Sequence, residues 1–280
     1  MKKNISRVTM QKKISDVQAI IDTSPKYKDC LLLPIGLTAG KCNDLSLSCR
    51  GKMPNTNGYI ISGGLFEIEN FLKGLLLNSC KKYNSNELKI SYYNFATNVI
   101  RIPFLNELPN IKIVKTLVDY EEFKEEFQLL KNETNERLNK IFQYEGCYAR
   151  AIHCENNNLI ANMPQELLII HASGFDLNNS SPKSQEIHHY ISQELWRAGI
   201  YPLIVLEHEE HFPNDFYYGG RLWLSFRYDG PVKLEPLQSY MHIAEDSWCL
   251  GSERKEVVEI PYYTEDWVQE SIEQIIDKNG

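Results

Sequence analysis

Apolar residues along the chain recur in two rhythms, every second residue or continuously in short runs, and every third to fourth residue in longer ones. The two rhythms mark strands and helices respectively. Ile14, Val17, Ile20 and Ile21 share a helical face that ends at Thr23–Pro25, and CLLLPIG (30–36) is a short apolar run closed by glycine, as a buried strand would be. After a loop at GKMPNTNG (51–58), YIIS (59–62), Gly63-Gly64, a helical run carrying Leu65, Ile68, Leu72, Leu75 and Leu76, and ELKISYYNF together predict a βαβ unit. IKIVKTLV (111–118) predicts another strand. Phe123, Phe127, Leu130, Leu138 and Ile141 predict a long amphipathic helix with an interruption near Asn132.

The strongest βαβ signal lies further on. ELLIIHASGFD (166–176) ends its apolar run in Ser-Gly, Ser181 can cap a helix with Pro182 in its first turn and Gly199 beyond its end, and YPLIVLEHE follows as a second strand. RLWLSFRY (221–228), VKLEPL (232–237) and KEVVEIPYY (255–263) then alternate as antiparallel strands do. TEDWVQESIEQIIDK (264–278) is a closing helix capped by Thr264, with Trp267, Ile272, Ile275 and Ile276 facing inward.

These elements predict an α/β fold: a Rossmann-like, mainly parallel sheet with helices on its faces, a smaller antiparallel β extension and a C-terminal helix. The core is expected over residues 1–220. Residues 221–280 are expected to pack on it as antiparallel strands and the closing helix, within one domain overall.

Composition narrows the partners more than the fold. The 280 residues carry 37 acids against 30 bases, a net charge of −7, which argues against nucleic acid as a partner. That charge is uneven, with ten bases against four acids in residues 1–52 and eleven acids against three bases in residues 235–280. The acidic C-terminal part is an expected surface for a basic protein or a second copy of the chain. No apolar run is long enough to span a bilayer, and the basic opening is not followed by the apolar core of a secretory signal, so the expected location is cytoplasmic and away from membranes. Seven cysteines without a C-x-x-C pair are expected to be free thiols.

Five segments carry candidate chemistry. GLTAGKC (36–42) offers Gly36, Thr38 and Lys41 for an anion, but three residues lie between its glycines and Cys42 follows the lysine, so it is not a phosphate loop of the G-x-x-x-x-G-K-[ST] kind. Gly63 and Gly64 precede a helix whose N-terminus would attract phosphate; Glu67 and Glu69 in the first turn compete for that position and favour a sugar hydroxyl. His171, Ser173 and Asp176 lie at the end of an apolar strand, where open α/β sheets bind ligands, and supply a base, a hydroxyl and a carboxylate. Glu210, in the loop after the next strand, is the further candidate acid. In that loop His208, His211 and Asp215 are the candidate ligands for a divalent metal, the cofactor the sequence suggests. Arg221, among the aromatics of FYYGGRLWLSFRY, is placed to clamp a planar anion such as a nucleotide.

GLTAGK together with Tyr190 and Glu194 of YISQE resembles the cyclodipeptide synthases. The resemblance implies a Rossmann-like enzyme using aminoacyl-tRNA, with Thr38 where that family has serine and with Tyr190 and Glu194 holding the aminoacyl group. From the residues themselves, the leading expectation is an intracellular enzyme, a transferase or hydrolase, that binds a nucleotide or another phosphorylated small molecule. A non-catalytic ligand sensor or a defence or immunity module with an acidic protein-binding surface is the alternative.

Overall fold

Strands buried on both faces read as nearly continuous apolar runs. In the computed structural model β6 (Gln165–His171) and β7 (Ile200–Leu206) are each buried along their whole length, with the polar Gln165, Glu166 and His171 at the ends of β6. The structure describes residues 30–38, 41–48, 59–95, 102–144, 148, 151, 163–171, 190–191, 194–206, 222–225, 239–245 and 254–279. The predicted helix at 12–21, the loop at 51–58, the strand at 232–237 and most of the helix expected after Ser181 lie outside these residues.

The remaining elements are β1 (Cys30–Thr38), β2 (Lys41–Ser48), β3 (Tyr59–Ser62), α1 (Leu65–Lys82), β4 (Leu88–Asn94), β5 (Ile111–Thr116), α2 (Tyr120–Lys140), β8 (Leu222–Ser225), β9 (Ser239–Glu245), β10 (Arg254–Ile260) and α3 (Glu265–Asn279). The ten strands form one sheet in the order β2-β1-β10-β9-β8-β3-β7-β6-β4-β5. From β8 to β5 every pairing is parallel, and from β8 to β2 every pairing is antiparallel. The expected α/β class, mainly parallel with an antiparallel extension, is the observed one.

Four details differ from the sequence reading. β8 is parallel to β3 and antiparallel only to β9, because the chain crosses the sheet once more before it begins to meander. β3 and β4 belong to one βαβ path but are not neighbours; β7 and β6 lie between them. The run beginning at Cys30 is the first arm of an antiparallel hairpin, not a strand of the parallel set. Finally, α2 continues without interruption through Asn132, its start capped by Asp119, whose side chain accepts from the Glu121 and Glu122 N–H groups at 2.9 and 3.0 Å.

Alternation along the strands feeds two cores. Leu167 and Ile169 of β6 and Tyr201, Leu203 and Val205 of β7 pack with α1 and α3, whereas Leu168, Ile170, Ile200 and Ile204 pack on the α2 side. The closing helix starts where expected, with the Trp267 N–H donating to Thr264 Oγ1 at 3.3 Å. Its inward face is Val268, Ser271, Ile272 and Ile275, with Trp267 packed at the margin and Ile276 left 47% exposed, a rotation of the predicted stripe. Two contacts set that rotation. Asn70 of α1 donates to Pro261 O and accepts from the Tyr263 N–H, both at 2.9 Å, and Tyr263 fills the space above Gly74, where a Cβ would lie 2.0 Å from its ring.

Candidate functional site at the carboxyl edge of the parallel strands

β3, β4, β6 and β7 run in one direction and end at one edge. Open α/β sheets bind ligands at that edge, near the point where successive connections leave to opposite sides. Here the point falls at β3 and β7, whose flanking crossovers lead away on either side.

β3 enters α1 through only two residues, Gly63 and Gly64. The Gly63 N–H donates to Leu206 O at 3.3 Å, which ties the turn to the end of β7. Gly64 caps α1 without any side-chain hydrogen bond, and the Glu67 carboxylate folds back over it: a Cβ on Gly64 would meet Glu67 Oε2 at 2.5 Å. A carboxylate therefore occupies the positive end of this helix. Next to it Phe66 is 57% exposed and stacks on Tyr262, with ring centroids 5.9 Å apart.

Two strands further along, Asn94 ends β4 and His171 ends β6, and both are buried. His171 Nδ1 donates to Asn94 Oδ1 across 3.0 Å, while the Phe95 N–H donates to His171 O at 2.7 Å. Burial lowers the imidazole to about 4, so the ring is neutral at physiological pH. By the alternation of β4 and β6, both side chains belong to the α1 face.

Among the described residues, the densest charge cluster lies at the opposite, amino edge. Glu166 accepts from Ser91 Oγ at 2.6 Å, Lys112 Nζ at 2.9 Å and Arg137 Nη2 at 3.0 Å. Arg137 also donates to Pro164 O at 2.8 Å and to Glu133, whose carboxyl is held below its usual range by Lys112 and Arg137 in spite of its partial burial. This cluster fastens α2 to β5 and β6, and the candidate ligand edge lies at the far end of the strands.

The predicted site residues separate into distinct places. Gly36 and Thr38 lie in β1 and Lys41 in β2, with Thr38 opposite Lys41 across the hairpin. Tyr190 packs edge-on against Phe127 of α2, with its hydroxyl donating to Lys131 O at 3.4 Å, and Glu194 pairs with Arg197 at 3.2 Å. Between β1 and β7 stand β10, β9, β8 and β3, five strand spacings or about 24 Å. The structure thus does not bring Thr38 together with Tyr190 and Glu194, as the cyclodipeptide-synthase resemblance requires. Gly63 and Gly64 form the strand–helix turn, and His171 ends β6. Ser173, Asp176, His208, Glu210, His211, Asp215 and Arg221 lie outside the described residues. The loops that contain Ser173 and Glu210 leave adjacent parallel strands, with His171 paired to Val205.

Among the described residues no three His, Cys, Asp or Glu side chains are grouped to hold a metal, and Cys80 is a free, buried thiol whose ionisation burial suppresses. No helix among them is long and apolar enough to cross a membrane. The sequence reading missed Asn94 and the Phe66–Tyr262 stack. Asn94 carried a usable signal, a polar residue ending an apolar strand as His171 does; Tyr262, nearly 200 positions away from Phe66, carried none.

No family model and no curated protein matches the chain. Solved structures do match its fold. EssC ATPases 2 and 3 from Geobacillus thermodenitrificans superpose with a TM-score of 0.64 over 91% of this chain and 52% of that one, at 13% identity. The cytoplasmic domain of the type VII secretion ATPase EccC from Thermomonospora curvata gives 0.63 over 90% of this chain and 32% of that one, at 15% identity. EccC ATPases 2 and 3 in complex with a signal sequence peptide give 0.62 over 91% and 48%, at 12% identity. The chain spans about half or less of the length of these structures. Its fold is similar to theirs, an α/β architecture.

Proposed function

We propose that this chain is an ATPase-fold domain of a protein-translocating machine and that it serves there without hydrolysing nucleotide, as a docking or regulatory domain. One observation carries the reading: the turn between β3 and α1. In P-loop ATPases the phosphate-binding turn between strand and helix is the eight-residue G-x-x-x-x-G-K-[ST] loop, whose backbone N–H groups surround the phosphates, whose lysine neutralises them and whose hydroxyl holds Mg²⁺. Here the turn is two glycines, the residue after them is Leu65, and the helix end carries the Glu67 carboxylate. A triphosphate entering this position would meet a like charge and find no lysine. β6 ends on His171, a neutral imidazole bonded to Asn94, and not on a carboxylate.

The translocation context rests on fold likeness to EssC and EccC, and the docking role is supported by the peptide bound to EccC. A second reading keeps nucleotide hydrolysis or group transfer, with His171, Ser173, Asp176 and Glu210 acting and His208, His211 and Asp215 holding a metal; the common edge of β6 and β7 favours it. Phosphate release from Mg·ATP separates the two. The first reading expects no turnover above the buffer rate, and steady turnover abolished by His171→Ala would support the second.

A further inference from the structure

At the turn where an ATPase of this fold would hold phosphate, the exposed chemistry is inverted: an aromatic stack within a rim of carboxylates. We infer that this patch docks a basic, apolar-anchored segment of a partner protein, an arginine or lysine chain flanked by aliphatic residues. The inference rests on the non-hydrolysing reading above, since it puts the same corner of the fold to a different use.

Leu65 and Phe66 open α1 with 38% and 57% of their surface exposed, although a helix this close to the core could bury both. Phe66 lies nearly parallel to Tyr262, at 18° and 5.9 Å, so the two rings present one apolar ledge. Tyr262 belongs to the link between β10 and α3, which Asn70 clamps to α1, so the ledge is rigid. Acids surround it. Glu67 covers the helix end, Glu265 and Asp266 open α3, and Lys73, the cation beside them, is spanned by Glu69 and Glu265, each at 3.1 Å. Guanidinium groups stack on aromatic faces and pair with carboxylates at the same time, whereas an anionic or purely apolar partner would satisfy only half of this surface. The positive ends of α1 and α3 already face acids of their own first turns, and among the described residues of the rim acids outnumber the one lysine.

The probe is a fluorescein-labelled (Arg-Leu)₄ peptide followed by anisotropy at low salt, with (Glu-Leu)₄ as its counterpart. Saturable binding of the first and not the second is expected. Phe66→Ala, and separately Glu265→Lys with Asp266→Lys, should each weaken it by about tenfold or more, as removal of an anchor or its paired charges does. Glu121→Lys with Glu122→Lys, exposed acids on α2, should leave it unchanged, and melting temperatures confirm that every variant is folded. Absence of binding, equal loss from the α2 variant, or indifference to both patch variants would overturn the inference. Phosphate release from Mg·ATP in the same sample separates the two readings: turnover with the peptide still docked contradicts only the non-hydrolysing reading, and absence of both turnover and peptide binding contradicts only the docking.

Discussion

The two edges of the parallel sheet use polar residues differently. At the amino edge, the buried Glu166 carboxylate is paired by Ser91, Lys112 and Arg137. At the carboxyl edge, the buried pair on the α1 face is neutral, Asn94 with His171, and on the α2 face the buried Glu126 is held by Lys115 and Tyr93. Ion clusters are ordinarily the first sign of a site. Here the cluster fastens a helix, whereas Asn94 and His171, at the ends of β4 and β6, carry no charge. The guide to the candidate edge is position along the strands, not charge density.

Breaking the amino-edge cluster should have the largest effect. Arg137→Ala leaves Glu166 buried without its guanidinium partner, and a loss of about 3–5 kcal/mol is expected in urea unfolding. A loss below about 1 kcal/mol would show that the cluster is solvated.

The carboxyl edge makes a contrasting prediction in pH. His171 takes up a proton near 6.5 when unfolded and near 4 when folded, so the unfolded chain binds more protons between those values. Its contribution to stability is complete above about pH 6.5 and is lost as pH falls through that window, roughly 3 kcal/mol in all. His171→Gln should flatten that part of the stability profile. An unchanged slope would mean that the ring is not buried neutral.

Smaller effects test how α3 is held. Gly74→Ala drives a methyl into the Tyr263 ring and should cost about 1–3 kcal/mol, although alanine is the better helix former. Thr264→Ala should cost about 1 kcal/mol through the lost cap. Reversal of that order would place the helix elsewhere.

Much of this was legible in periodicity. The runs at 59–62, 88–94, 111–116, 165–171 and 200–206 became strands and the stripes after Leu65 and Tyr120 became helices, because each period matches one face or two of a packed layer. Strand order was not legible, since β3 and β4 look like partners in sequence while β7 and β6 lie between them in space. The pairing that makes residues 30–48 an antiparallel hairpin was not legible either, since the apolar run at Cys30 reads only as a buried strand. Within the site, the two glycines and the competing Glu67 were readable, as a helix end must be covered by something. Glu166 was not, because a carboxylate at the start of a strand looks solvated until Arg137, 29 residues earlier, is seen to reach it. The inward place of Val268 depended on Tyr263 and Gly74, which no stripe on α3 encodes.

The central claim is that the turn after β3 no longer accepts phosphate. Isothermal titration of the full chain with Mg·ATPγS tests it most directly. The account predicts no saturable heat up to millimolar nucleotide, and the same result for Glu67→Gln, because removing one carboxylate does not supply the missing loop and lysine. Saturable binding tighter than about 100 μM, a free energy beyond roughly −5 kcal/mol, would contradict it.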